Sequence, residues 1–246
     1  MQTLLADLHV HTVLSPCAEI EMIPPLIVKR GHDLGLDMIA ITDHNAAGNV
    51  VAVERAAEGS GITVIAGMEL QTREEVHLLC LFDTVDQVHA WQEVVFAHLP
   101  ARKNEPKVFG VQLIVDETGD LLERNERLLL TSSDLSIDEA VEMVRGMGGI
   151  PIAAHVDRRA YSLLASLGFV PEGLDVAALE ISRRSVPEAF LSVHEELREW
   201  PFITSSDAHR LSEMSASMRF CLQKPSVREI ELALRHRKGR RAEMLA

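Results

Sequence analysis

The sequence predicts an α/β protein closed as a barrel, and three observations carry that expectation. Short β-like apolar runs alternate with helix-like segments along the chain, the pattern of a parallel sheet covered by helices. The length, 246 residues, suits one such barrel. Residues that bind metals or titrate recur at the ends of the β-like runs, where a parallel barrel gathers its strand C-termini on one rim.

The elements follow in order. The run at residues 4–8 leads into "DLHVHT"; alternate strand residues share a face, so His9 and His11 project together with Asp7 behind them. "PPLIVKRGHDLG" reads as a helix opened by prolines and closed by Gly35. "DMIAIT" is a second strand, ending at Asp43, His44 and Asn45. "VVAVERAAEGSG" is a helix stopped by glycine, "ITVIAGMEL" a strand ending at Glu69, and "EVHLLCLF" a strand carrying His77 in its interior. "VDQVHAWQEVVFAHL" is an amphipathic helix. At residues 107–130, "DETGD" between two apolar stretches marks an inserted hairpin. "SIDEAVEMVRGMGG" is a helix with a capping box, Ser136 three residues before Glu139. "GIPIAAH" ends at His155, "DVAALEIS" near Glu180, and, after the helix "PEAFLSVHEELREW", "PFITSSDAH" ends at Asp207 and His209. A strand "SMRFCL" and a helix "SVREIELALRHRK" follow, and the basic stretch "RHRKGRRAEM" reads as a frayed, solvated helix end. With no repeat, low-complexity tract or linker, residues 1–246 are expected to form one domain.

Net charge is -13, which argues against broad binding to nucleic acid or anionic membrane and leaves local basic patches open. Three scattered cysteines, Cys17, Cys80 and Cys221, make no disulfide framework and fit a reducing compartment. The start of the sequence lacks the basic and apolar regions of a secretory leader, and no apolar run approaches a membrane span. A cytoplasmic protein with no membrane partner is expected.

Six of the 11 histidines fall in the strand-end set: His9, His11, His44, His77, His155 and His209. Imidazoles and carboxylates converging without thiolate pairs suit Zn, Mn or Fe. Two close ions bridged by a carboxylate can activate a water and clamp an in-line displacement. His32, His89, His98, His194 and His236 lie in helical patterns and read as solvated or capping residues. Cations at the rim would suit a phosphate, and Arg158, Arg184 and Arg210 follow strand ends, so these are the substrate-binding candidates.

"DLHVHT", "ITDHN", "GMEL", "EVHLL", "AAHVDR" and "SSDAH", in this order, resemble the polymerase and histidinol phosphatase (PHP) superfamily over nearly the whole chain. The resemblance implies a distorted seven-stranded, TIM-like (β/α) barrel, a site of two or three divalent metal ions at the C-terminal strand rim, and metal-dependent hydrolysis of phosphoesters. Carried over by residue, it implies His9, His11, Glu69 and Asp207 around one ion, Glu69, His77 and His155 around a second, and His44 and His209 at a third. Asp43 and Asn45 would orient His44. Where many members place a histidine, this chain has Cys17, so Cys17, Glu19 or Glu21 is the candidate donor completing the third site. Asp207, His209 and Asp43 are the catalytic candidates, and Glu180 a wall residue. The expected substrate is a phosphomonoester of a small metabolite or a nucleotide. The alternatives are a phosphodiesterase acting at a nucleic-acid end, a hydrolase of a non-phosphate bond, and a non-catalytic metal-binding interaction domain.

Overall fold

A computed structural model describes residues 1–245 of the protein. Eleven strands and eight α-helices follow one another as β1 (Gln2–Val10), α1 (Pro24–Asp33), β2 (Met38–Ile41), α2 (Val50–Ala56), β3 (Thr63–Gln71), β4 (His77–Phe82), α3 (Val85–His98), α4 (Pro106–Phe109), β5 (Leu113–Val115), β6 (Leu121–Arg124), α5 (Ile137–Gly146), β7 (Ile150–Ala153), α6 (Leu163–Leu167), β8 (Ala178–Ser182), α7 (Pro187–Val193), β9 (Phe202–Ser205), β10 (Met218–Leu222), α8 (Val227–Leu234) and β11 (Arg241–Met244).

The main sheet has nine strands, not the seven expected, in the order β11-β10-β1-β2-β3-β4-β7-β8-β9. It curls until a bridge between Val10 and Ala208 ties the end of β9 to β1, leaving a nearly closed barrel. Nor is the sheet all-parallel. Strand β4 runs antiparallel to both β3 and β7. A tight turn forces this: the Thr72 amide bonds the Val76 carbonyl at 2.9 Å, with Glu75 at φ 60°. A parallel neighbour would need a crossover of a dozen or more residues, and "TREEV" has no room for one.

The strand after α8 is the second correction. The expected frayed helix stops at Leu234, and residues 241–244 pair antiparallel with β10. Positive φ values at His236, Lys238 and Gly239 reverse the chain. The Arg240 guanidinium then seats on Glu229 of α8, with contacts of 2.8 and 2.9 Å. The helix read at residues 187–200 is also shorter, breaking at His194 into a 3₁₀ turn, Glu195–Leu197.

Two apolar layers hold the barrel. Leu8, Met38, Ala40, Leu79, Ile152 and Ile203 fill its interior, with Ile230 and Leu234 of α8 in the same cluster. Residues of opposite parity on the same strands, such as Ile39, Ile41, Met68 and Phe82, pack outward with Trp91 and Val95 of α3. Helix caps follow local sequence. Thr84 with Gln87 and Ser136 with Glu139 form complete capping boxes. The β5–β6 hairpin forms at the residue 107–130 segment and leans on the loop after β1. There Gly110, at φ 95°, sits so close to Pro16 that a Cβ would lie 2.5 Å from the Pro16 carbonyl oxygen.

Candidate metal centre

The register of β1 against β2 shifts between Asp7 and Val10, a bulge. Leu4, Ala6 and Leu8 belong to the interior cluster. Beyond the bulge His9 and His11 reach the rim together, with ring centroids 5.1 Å apart. Asp7 does not back them. Its carboxylate accepts the amides of Ser206 at 3.0 Å and Ser215 at 3.2 Å, and burial pushes it up to about 6.

The other donors arrive from neighbouring strands. His44 follows β2 and bridges to Glu69 of β3. His77 opens β4, and because β4 is antiparallel its start lies at the rim where the parallel strands end. This resolves why a residue at the front of an apolar run joins the cluster. His155 follows β7, and Asp207 and His209 follow β9. Asn45, His155 and Asp207 all adopt positive φ (50°, 28° and 49°), bending the chain sharply as it leaves the sheet.

Glu69 is the hub. Its Oε1 lies 2.8 Å from His77 Nδ1, 3.1 Å from His155 Nε2 and 3.3 Å from His9 Nε2. Its Oε2 lies 2.9 Å from His44 Nδ1 and 3.4 Å from His11 Nε2. Asp207 Oδ1 is 3.2 Å from His9 Nε2 and 3.1 Å from His11 Nε2. The donor atoms group as His9, His11, Glu69 and Asp207; as His44, Glu69 and His77; and as His11, His44 and His209. His44 thus sits with Glu69 and His77 as well as with His209, while His155 reaches the hub through Glu69 alone.

These residues fit divalent metal ions. His9 Nε2 and His11 Nε2 face each other at 3.2 Å. Four donors about 2.0–2.1 Å from a tetrahedral ion would stand about 3.4 Å apart, close to the spacings of the first group. His155 Nδ1 is buried with no hydrogen-bond partner among the described residues, and Glu69 Oε2 meets His44 Nδ1 in distance but not in hydrogen-bond geometry. Buried acceptors in that state are costly unless something binds them.

Surrounding groups aim the donors. Glu180 holds His9 by Nδ1 at 3.1 and 3.2 Å and accepts the His155 amide at 2.9 Å. Ser15 Oγ sits 3.0 Å from His11 Nδ1 and donates to Asp43 at 2.6 Å. The Asp43 carboxylate also accepts the Thr12 amide and hydroxyl, so it faces this brace and not the cluster. Asn45 ties Leu129 and Thr131 to the Gln71 amide. Burial opposes charge throughout. Even so, Glu180, Asp207 and Glu69 hold His9 well above its usual value, and the histidines hold Glu69 and Asp207 well below theirs. Burial and the neighbouring His209 lower His11.

Cys17 is exposed as a residue, but its sulfur is turned inward against His209 and His44. Burial of the sulfur opposes ionisation, but the two imidazoles bring it down to about 6. Glu19 instead pairs with Arg210 at 2.7 Å, and Glu21 accepts the Leu211 amide. Arg158 is ion-paired with Asp207 and, with Arg184, lines a cavity of about 310 Å³ that opens onto His155, Glu180 and Asp207. Arg210 lies outside that lining.

Sequence reasoning missed Tyr161, whose ring stacks on His77 at 4.9 Å and whose carbonyl accepts the His77 amide. As the chain's sole tyrosine, close after "AAHVDR", it carried a faint signal. Thr12 and Asp157 stand inside quoted motifs and Ser15 just after one, but nothing in the sequence told what these common polar residues brace.

No helix of the described residues is long and apolar enough to cross a membrane. No curated protein matches the chain in sequence. Among solved structures, the lesion-specific endonuclease EndoQ of Pyrococcus furiosus superimposes with a TM-score of 0.72 at 18% identity, over 98% of this chain and 58% of that one. Endonuclease Q bound to a 27-mer duplex with an abasic lesion at its active site gives 0.71, also at 18%, with the same coverage of 98% and 58%. A Bifidobacterium adolescentis structure assigned as a metal-dependent phosphoesterase gives 0.53 at 20% identity, over 83% of this chain and 87% of that one. The chain therefore spans 58% of the length of the endonuclease structures and shares their fold. The family model for the PHP domain matches residues 7–158, well over half the sequence and most of the donors described above, and the chain belongs to the PHP domain family.

Proposed function

We propose that the chain is a metal-dependent hydrolase of phosphoric esters whose substrate is a phosphomonoester of a small metabolite or nucleotide. One observation carries the reading: five histidines contact Glu69, Asp207 and His209 stand beside them, and the buried His155 Nδ1 is left unpartnered among the described residues. The proposed ligands are His9, His11, Glu69 and Asp207 for one ion, Glu69, His77 and His155 for a second, and His44, His209 and Cys17 for a third. The donor set suits Zn, Mn or Fe.

Such ions, when bound, supply an activated water and offset charge on the phosphoryl oxygens. The protein's own groups do the rest. Glu180 and Ser15 hold His9 and His11 by Nδ1, leaving both Nε2 atoms facing inward. Asp43 positions His11 through Ser15 and acts on the reaction only by that route. Arg158, beside Asp207, orients the ester, with Arg184 further out. Arg210, paired with Glu19, belongs to the outer lip. Asp207 fixes Arg158 over the cluster. With two ions bound, His209 donates the proton that the leaving oxygen needs. The residue 107–130 segment packs through Gly110 on Pro16, the neighbour of Cys17.

The net charge of -13 supports a small substrate. The likeness to an endonuclease structure supports a second reading, a phosphodiesterase at a nucleic-acid end. One experiment separates them. Protein purified without chelator or metal-affinity tag is analysed by elemental mass spectrometry. It is then assayed on p-nitrophenyl phosphate, bis(p-nitrophenyl) phosphate and a 3′-labelled single strand. The first reading expects two or three equivalents of metal and faster cleavage of the monoester. Preference for the diester and the strand transfers the assignment to the second. Less than one equivalent after reconstitution with each metal returns it to a non-catalytic interaction domain.

A further inference from the structure

Strand β8 ends in a turn closed by the Ser185 amide on the Ser182 carbonyl at 2.9 Å, so that Arg183 and Arg184 occupy its two central positions. One carboxylate clamps both corners. Asp157 accepts the Ser182 amide at 2.8 Å and the hydroxyls of both Ser182 and Ser185. Burial opposes its ionisation, but these hydroxyls bring it below the usual carboxylate range.

Two cavities meet at this turn, and Ser182, Arg183 and Arg184 line both. The first is the cavity of about 310 Å³ over the metal donors. The second, about 580 Å³, has apolar walls that include Ile181, Val186, Ala216 and Met244. Arg183 is tethered to the Glu213 carbonyl at 2.7 Å. Arg184 has neither ion pair nor hydrogen bond among the described residues, although the chain carries a large excess of acid. The Ser205 hydroxyl, in the wall of the first cavity, is buried with no partner.

A single scissile phosphoryl group at the metal donors is already met by Arg158. Two more guanidiniums on a braced turn, with space on either side, exceed what that group requires. We propose that the Ser182–Ser185 turn selects substrates carrying a second anionic group, phosphate or carboxylate, besides the ester to be cleaved, and that Asp157 is the residue positioning the turn. Guanidinium forks suit either anion by bidentate hydrogen bonding. The proposal rests on the phosphoesterase reading and is tested separately from it.

Phosphonates are not hydrolysed, so their binding is measurable with or without turnover. Calorimetric titration of the metal-loaded protein compares phenylphosphonate, 1,4-phenylenebisphosphonate and 4-carboxyphenylphosphonate. Wild type should bind at least one doubly anionic probe about tenfold more tightly than phenylphosphonate, a gain of about 1.4 kcal/mol. The tighter of the two names the second group. Arg184→Ala and Asp157→Ala should each erase the preference. In Asp157→Ala phenylphosphonate binding should hold, and Asp157→Asn, which keeps one accepting oxygen, should restore part of the preference. Equal affinities in wild type, a preference that survives both variants, or equal loss of all three probes in Asp157→Ala would each overturn it. Turnover of phenyl phosphate, scored in parallel, decides the phosphoesterase reading alone.

Discussion

At the end of the barrel where the strands begin, a cavity of about 740 Å³ is walled by Asp175, Arg198, Trp200 and Arg235. At the other end, the cavity over the histidine cluster has less than half that volume. Several charges in and beside the larger cavity are paired. Arg145 meets Glu231 at 2.9 Å, and Arg235 meets Glu231 at 3.2 Å and Asp175 at 3.5 Å. At the smaller one, imidazole nitrogens face each other and the buried His155 Nδ1 lacks a partner among the described residues. The contrast teaches that space is a poor guide to chemistry. Unmet valence in a buried, braced cluster is the better one, because the fold bears its cost unless a ligand repays it.

The contrast can be broken most forcefully at Glu69. Glu69→Ala should strip metal from the centre and lower phosphoester turnover by at least about a thousandfold, on the several-kcal/mol scale of metal catalysis. Elemental analysis and a steady-state assay check this, and a variant with full metal content would end the hub assignment. One layer out, Glu180→Gln weakens the brace on His9 while every donor stays. Metal affinity or activity should fall about 10- to 100-fold, read by competition with a chelator.

The smallest effect belongs at the far end. The Arg240 hydrogen bond holds the Glu229 carboxyl below the usual glutamate range. Its ionised form is therefore favoured by the fold, so its stabilisation is present above the ordinary glutamate value and is lost as pH falls through the depressed one. Glu229→Gln should melt a few degrees below wild type at neutral pH, and the gap should close on acidification below about pH 4. Metal content should not change. A gap that widens on acidification would reverse the sign of the argument.

Much of this was legible in the sequence because strand ends concentrate chemistry. HxH after an apolar run, "ITDHN", "GMEL" and "SSDAH" each mark a place where a buried strand meets the rim, and the structure brings their donors together. Strand direction was less legible. The alternating pattern is blind to whether β4 runs parallel or antiparallel, and only the brevity of "TREEV" could have told. The bulge that separates Asp7 from His9 follows from register, which no local propensity encodes. Strand β11 was hidden in a run of basic residues that the structure orders by pairing with β10 and by seating Arg240 on Glu229. Asp157 looks like an ordinary loop acid until β8 is laid beside it.

The neighbours of β1 in the sheet have a consequence for how the molecule comes together. Strand β1 pairs with β2 on one side and with β10 on the other, and its end is bridged to Ala208. His11 and Asp207, 3.1 Å apart in space, are 196 residues apart along the chain. A nascent polypeptide that has exposed every donor through His155 has β2 to pair with β1 but still lacks β10 and Ala208, which fix its other side. Pairings of such long range are slow to form, so closure of the barrel and completion of the centre are a single late event. Tight capture of metal should then track finished folding and not any earlier compact state.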